Sequence, residues 1–179
     1  GFTEYQTGLF DEAEGQGGDI AARTEQFLLG MQLDGYAEPY SMISNQYRDF
    51  TTYGVSIYSG GELFLHRLQY VIGDSTMRAA IRSYYDQWKL KHVNEDRFRA
   101  VVEETSKRDL GPFFAQQLHG VDLTDYAVGR TRRTQNADGT WVTRIQVLRK
   151  APRQVPVEVQ LITMSDTVTV RAAGVAERE

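Results

Sequence analysis

Cysteine is absent from the 179 residues. That excludes disulfides and thiolate metal sites together and leaves the redox compartment open. Histidine is scarce: His66, His92 and His119 are the only three. No two stand in an HxxxH or HExxH spacing, so the chain carries no pair of zinc-binding imidazoles on one helical face. A GxSxG nucleophile turn is missing as well. The one glycine-rich stretch, GQGG at 15–18, follows a helical pattern rather than a strand and lacks a lysine, which excludes a phosphate-cradling loop. No apolar run approaches the ~18 residues of a membrane-spanning helix. The opening GFTEYQTGLF has neither the basic start nor the apolar core of a signal peptide. With no initiating methionine, the chain reads as an excised or processed segment.

The composition that remains is that of a globular chain, long enough for one domain or for one domain with a small second one. Its charge is uneven. Residues 1–126 hold 11 Lys and Arg against 19 Asp and Glu, a net of −8, whereas residues 127–179 hold 9 against 5, a net of +4. A sign change of this kind places a domain boundary near Tyr126. The basic run RTRR at 130–133 lies in an alternating pattern without clustered aromatics. It reads as a solvated sheet face, and no nucleic-acid partner is expected.

Hydrophobic periodicity divides the chain at the same place. Helices are predicted over 2–13 and 20–33, with GQGG between them. Residues 35–53, GYAEPYSMISNQYRDFTTY, form a long aromatic-containing loop of a length that suits a functional role. Phe64, Leu65, Leu68, Val71 and Ile72 then make one helical stripe, ended by Gly73, with Asp74 placed to cap the next helix. Met77, Ala80, Ile81, Tyr84, Tyr85 and Trp88 make a second stripe. Asn94 caps a third helix that carries Phe98, Val101 and Val102. PFFAQQLHG is a short last helix, with Pro112 in its first turn and Gly120 stopping it. After Tyr126 the period becomes two. Strands are predicted over 126–134, 141–149, 155–164 and 166–174, with Asn136-Ala137-Asp138-Gly139 as a hairpin turn. The expected fold is therefore α+β: a helical part over 1–126, then a small four-stranded antiparallel sheet or half-sandwich over 127–179.

Four stretches, read in order, carry a resemblance: GFTEY at 1–5, YSGGELFLHRLQYVIGD at 58–74, MRAAIRSYYDQW at 77–88, and NEDRFRAVVEETSKRDLGPFFAQQL at 94–118. Together they resemble zinc aminopeptidases of the aminopeptidase N type, the gluzincins, over residues 1–126. The resemblance implies the C-terminal half of a thermolysin-like catalytic domain, followed by a β domain. In that family an HExxH helix supplies two zinc-binding histidines and a general-base glutamate. A third ligand, the first Glu of an NEGFAEY-like run, follows on a later helix. Gly1 to Tyr5 match GFAEY, so the third-ligand Glu is expected immediately before Gly1 and the metal ligands outside this chain. Tyr58 matches the tyrosine of a YEKG-like run, and Tyr53 matches a second active-site tyrosine of some members. Ser59 and Gly60 depart from the pattern, which has Glu and Lys there.

The resemblance also implies roles for particular residues. Tyr58 would donate a hydrogen bond to the oxyanion that forms on the scissile carbonyl, a contribution of about 3–4 kcal/mol. Gly60 and Gly61 would let substrate or backbone approach the helix start closely. Glu4, one helical turn from the ligand position, would support it or serve as an ordinary helix carboxylate. Without the resemblance, Tyr58 reads as an aromatic packed at a helix end, and Tyr53 as a loop anchor. The parent protein would be a zinc-dependent peptidase acting on peptides. The isolated segment would be inactive, would need the upstream zinc-bearing half as its partner, and would leave apolar surface open to homo-oligomerisation. The alternative is a non-catalytic interaction or scaffold module of the same fold. Compartment stays open, although many bacterial members of the family are exported.

Overall fold

The structure is a computed structural model that describes residues 1–16, 18–164 and 166–172. The fold is α+β, with helices through the first two-thirds and antiparallel ribbons after them. Two units divide the chain, Gly1–Val121 and Asp122–Glu179. The division falls slightly before Tyr126 because backbone pairing ties residues 123–125 into the second unit. There Lys150 N donates to Asp125 O at 2.8 Å and Arg153 N to Leu123 O at 3.3 Å.

Helices α1 (Phe2–Ala13) and α2 (Ile20–Leu33) form where the periodicity places them. At the start of α1, Glu4 reaches back so that its Oε2 accepts from Gly1 N at 3.3 Å. This is the reciprocal half of a capping box. Asp19 caps α2, its Oδ1 accepting from Ala22 N at 2.9 Å. Gly17 of the GQGG stretch lies outside the described residues.

The loop expected over 35–53 ends early. Asp49 accepts from Thr52 N at 2.8 Å and caps α3 (Phe50–Gly54), so its last residues are helical. Hydrogen bonds from Thr52 hold the Asp49 carboxyl below the usual range. Beyond α3 the chain widens into a π-helical turn, Val55–Gly60, and continues into α4 (Gly61–Ile72) with right-handed helical angles at both junctions. Gly73, at φ 88°, breaks the rod. Asp74 is not the cap expected there. It is the first residue of α5 (Asp74–Trp88), and its Oδ1 accepts from Gln69 Nε2 at 3.1 Å. Asn94 caps α6 (Glu95–Ser106) through Arg97 N at 3.1 Å. The short α7 (Gly111–Phe114) carries Pro112 in its first turn and widens into a second π-helical turn, Ala115–His119.

The core of this unit joins α1, α4, α5, α6 and α7. Tyr5, Phe64, Leu65, Leu68, Ile72, Met77, Ala80, Phe98, Val102, Leu110 and Phe114 form one buried cluster. Each large apolar side chain so buried contributes about 1.5–3 kcal/mol. The α5 stripe is only partly covered: Met77 and Ala80 are buried, whereas Tyr85 is 65% exposed. The Arg97 guanidinium stands 4.5 Å from the Trp88 ring centroid, covering that ring from α6.

In the second unit the strands do not make one sheet. β1 (Tyr126–Gln135) pairs with β2 (Trp141–Arg149), and β3 (Val157–Ile162) pairs with β4 (Thr167–Ala172), as two separate antiparallel ribbons. Pro152 and Pro156 lie in the connection. Pro156 has no N–H to donate to a ladder, which is why β3 starts at Val157 rather than at 155. The expected four-stranded sheet is thereby corrected, and residues 173 and 174 of its last strand lie outside the described residues. The turn at 136–139 forms as its residues predict, with Gly139 at φ 85° and Asn136 N donating to Thr140 O at 2.8 Å. A bulge between Val128 and Thr131 interrupts the β1–β2 register, and the Gln146 side chain accepts from Arg130 N at 3.4 Å there. Tyr126 Oη bonds both the carbonyl and the amide of Val155, each at 3.1 Å.

Candidate functional site

The start of α1 and the wide turn before α4 meet at two glycines. A Cβ on Gly61 would stand 2.9 Å from Gly1 Cα, and a Cβ on Gly1 would stand 3.2 Å from Gly61 Cα and 3.4 Å from Ile57 O. Backbone lies on backbone, an approach that a side chain at either position would prevent. Tyr58 follows Ile57 directly. Its side chain is 49% exposed, and among the described residues nothing hydrogen-bonds its hydroxyl. A large phenol is therefore presented to solvent on a turn whose hydrogen bonds run one residue wider than in an α-helix. Single π-helical turns of this kind recur at functional sites because they re-aim one side chain without breaking the helix.

Gly60 is buried for a different reason. A Cβ there would come within 2.5, 2.6 and 2.8 Å of three atoms of the Tyr40 ring. The half-buried Tyr40 thus occupies the space through which any side chain at 60 would leave the backbone. Glu4 is half-buried and engaged with Gly1 N. Tyr53 is half-buried too, but it packs edge-on against Tyr47 at 5.4 Å between centroids and tilted against Phe50 at 6.2 Å. These rings, with Ser44 and Asp49, line an open depression of about 380 Å³. The structure thus brings Gly61 and Gly1 together, leaves Tyr58 half-exposed on the adjoining turn, and packs Tyr53 against Tyr47 and Phe50.

The three histidines stand apart. His119 Nε2 is 3.0 Å from Glu95 Oε2, a pairing at a helix end. His92 lies in the exposed link between α5 and α6. His66 on α4 is nine-tenths buried: its Nε2 has no hydrogen-bond partner and sits 4.0 Å from Glu62 Oε1, while Tyr5 packs edge-on at 5.0 Å. Burial pushes the His66 imidazole below its ordinary value, against the opposing pull of Glu62, Glu12 and Asp19. Among the described residues no three His, Asp or Glu side chains group to hold a metal ion.

Neighbouring Tyr5 is fully enclosed. Its hydroxyl donates to Gln69 Oε1 at 2.8 Å, and burial first, then Asp74 and Glu12, push its phenol up to about 12. No protein-family model matches this chain, and no curated protein matches it. Sequence reasoning missed the π-helical turn, the seat of Tyr40 on Gly60 and the buried Glu62–His66 pair. Only the doubled glycine of the YSGG stretch signalled a close approach, and it did not say to what.

Proposed function

We propose that this chain is the helical part of a zinc-dependent peptidase catalytic domain with an attached β unit, and that Tyr58 stabilises the oxyanion during peptide-bond hydrolysis. The observation that carries this proposal is the Gly1–Gly61 contact. It joins the helical rod that carries the half-exposed Tyr58 to the start of the helix that the resemblance assigns to the last metal ligand. A peptide carbonyl under attack gains negative charge on its oxygen as the trigonal carbon becomes tetrahedral. A phenolic O–H held in place donates to that oxygen more strongly in the transition state than in the ground state, which lowers the barrier. The rod formed by α3, the wide turn and α4 supplies the rigidity, since a helical backbone holds its side chain more closely than a loop does.

Metal chemistry, in this proposal, belongs to polypeptide outside residues 1–179, and the chain alone is inactive. The test uses the full-length protein that contains this chain. It should hydrolyse aminoacyl-coumarin substrates in a chelator-sensitive way, and Tyr58→Phe should lower kcat by about 10²–10³-fold with little change in KM. A full-length protein without activity, or a Tyr58→Phe variant with unaltered turnover, would instead favour the scaffold alternative.

A further inference from the structure

The segment between α2 and α3 is bound to the Tyr58 turn at several points. The Tyr40 ring lies over Gly60, at 2.5–2.8 Å from where a Cβ would stand. Ser56, inside the turn and buried, donates from its hydroxyl to Glu38 O at 3.4 Å. Tyr47 Oη donates to the carbonyls of Pro39, at 3.0 Å, and Tyr40, at 3.3 Å. The Tyr47 ring meets Tyr53, two residues before the turn begins. The same segment is anchored on its other side, where Ser41 N donates to Leu118 O at 3.0 Å and Ser41 Oγ to Glu95 Oε2 at 3.0 Å. Tyr40 also packs against the main core cluster.

A π-helical turn is less favourable than the α-helix on either side of it, so something outside must hold the extra residue in place. We propose that residues 38–47 are a brace for that turn and that Tyr40 is the positioning residue that fixes where the Tyr58 hydroxyl points. The ring fills the volume above Gly60, so the turn cannot tighten toward it, and Ser56, one turn earlier on the same face, ties the turn to the same segment. Gly60 is glycine because the ring needs its space. The Tyr40 hydroxyl is not part of this contact; the ring is. Loss of the ring leaves a void above Gly60 into which the turn can relax, rotating Tyr58 out of its present direction.

The structural claim stands on these contacts alone, and its catalytic consequence rests on the proposed peptidase function. The experiment places 3-fluorotyrosine at position 58 only and follows its fluorine resonance, with circular dichroism as the check on folding. Tyr40→Ala should shift or split the line, Tyr40→Phe should leave it in place, and Phe50→Ala, on an exposed ring, should also leave it in place. Ser56→Ala, a milder change, should move the line in the same direction as Tyr40→Ala and serves if that variant fails to fold. A folded Tyr40→Ala chain, or in its stead Ser56→Ala, with the unaltered line overturns the brace.

In the full-length protein, Tyr40→Ala should lower kcat by about tenfold or more at constant KM, with Tyr40→Phe restoring it, as a small misplacement of a catalytic group does. If Tyr58→Phe leaves turnover unaltered, the peptidase proposal falls and the fluorine line still decides the brace. If Tyr58→Phe lowers turnover but Tyr40→Ala changes neither the line nor kcat, the brace falls and the peptidase proposal stands.

Discussion

A buried imidazole with an orphan nitrogen makes His66 the residue whose protonation the fold resists most visibly. Carboxylates face it from its own helix (Glu62), from α1 (Glu12) and from the cap of α2 (Asp19), yet burial outweighs all three. Folded protein holds His66 neutral in a range where the unfolded chain already binds a proton. Stability therefore falls as pH drops through the ordinary imidazole value of 6.5 toward the lower folded value. Chemical denaturation midpoints measured from about pH 8 to about pH 5 should decline more steeply for the wild type than for His66→Gln. Parallel curves would mean that His66 charges freely in the folded state. From sequence, only the place of His66 within the helix that carries the Phe64–Ile72 stripe was legible. The neighbours that shift it, from α1 and α2, were not, because periodicity reports one helix at a time.

Where two helical elements cross, glycine sets the distance. Gly61 admits the backbone of Gly1 at 2.9 Å from its own Cβ direction, and neither backbone can step aside without moving a helix. Gly61→Ala should therefore destabilise the protein by about 1–3 kcal/mol, read as a lower urea midpoint at unchanged m. A variant within about 0.5 kcal/mol of wild type would show that the helices slide apart without cost. Most of these elements were legible in advance. The spans of α1 and α2, the Asn94 cap and the hairpin turn at 136–139 follow from apolar spacing, capping chemistry and glycine placement. The π-helical turn was not. No element was assigned to residues 55–60, and the Tyr40 ring and the Ser56–Glu38 bond that meet the turn are both non-local.

For the molecule as a whole, the helical unit leaves an apolar groove uncovered among the described residues. Phe2, Ile81, Tyr84, Tyr85, Trp88 and Val93 line about 590 Å³ of it, together with charged side chains that include Lys89 and Lys91. Apolar surface of this kind favours association, and a second copy of the chain is the proposed cover. Sedimentation should show a mass that rises with concentration, reduced by Tyr85→Lys. A monomer at every concentration would discard the proposal. No helix among the described residues is long and apolar enough to cross a membrane.

The α+β class, the spans of α1 and α2 and the turn that joins β1 to β2 were determined by the sequence alone, because each depends on neighbours within a few positions of the chain. Tertiary structure alone decided that the four strands make two ribbons, that Tyr53 packs against Tyr47 and Phe50 while Tyr58 is half-exposed, and that Gly1 meets Gly61. Those outcomes depend on which surfaces distant segments bring into contact, and a local pattern of apolar and polar residues does not encode that choice.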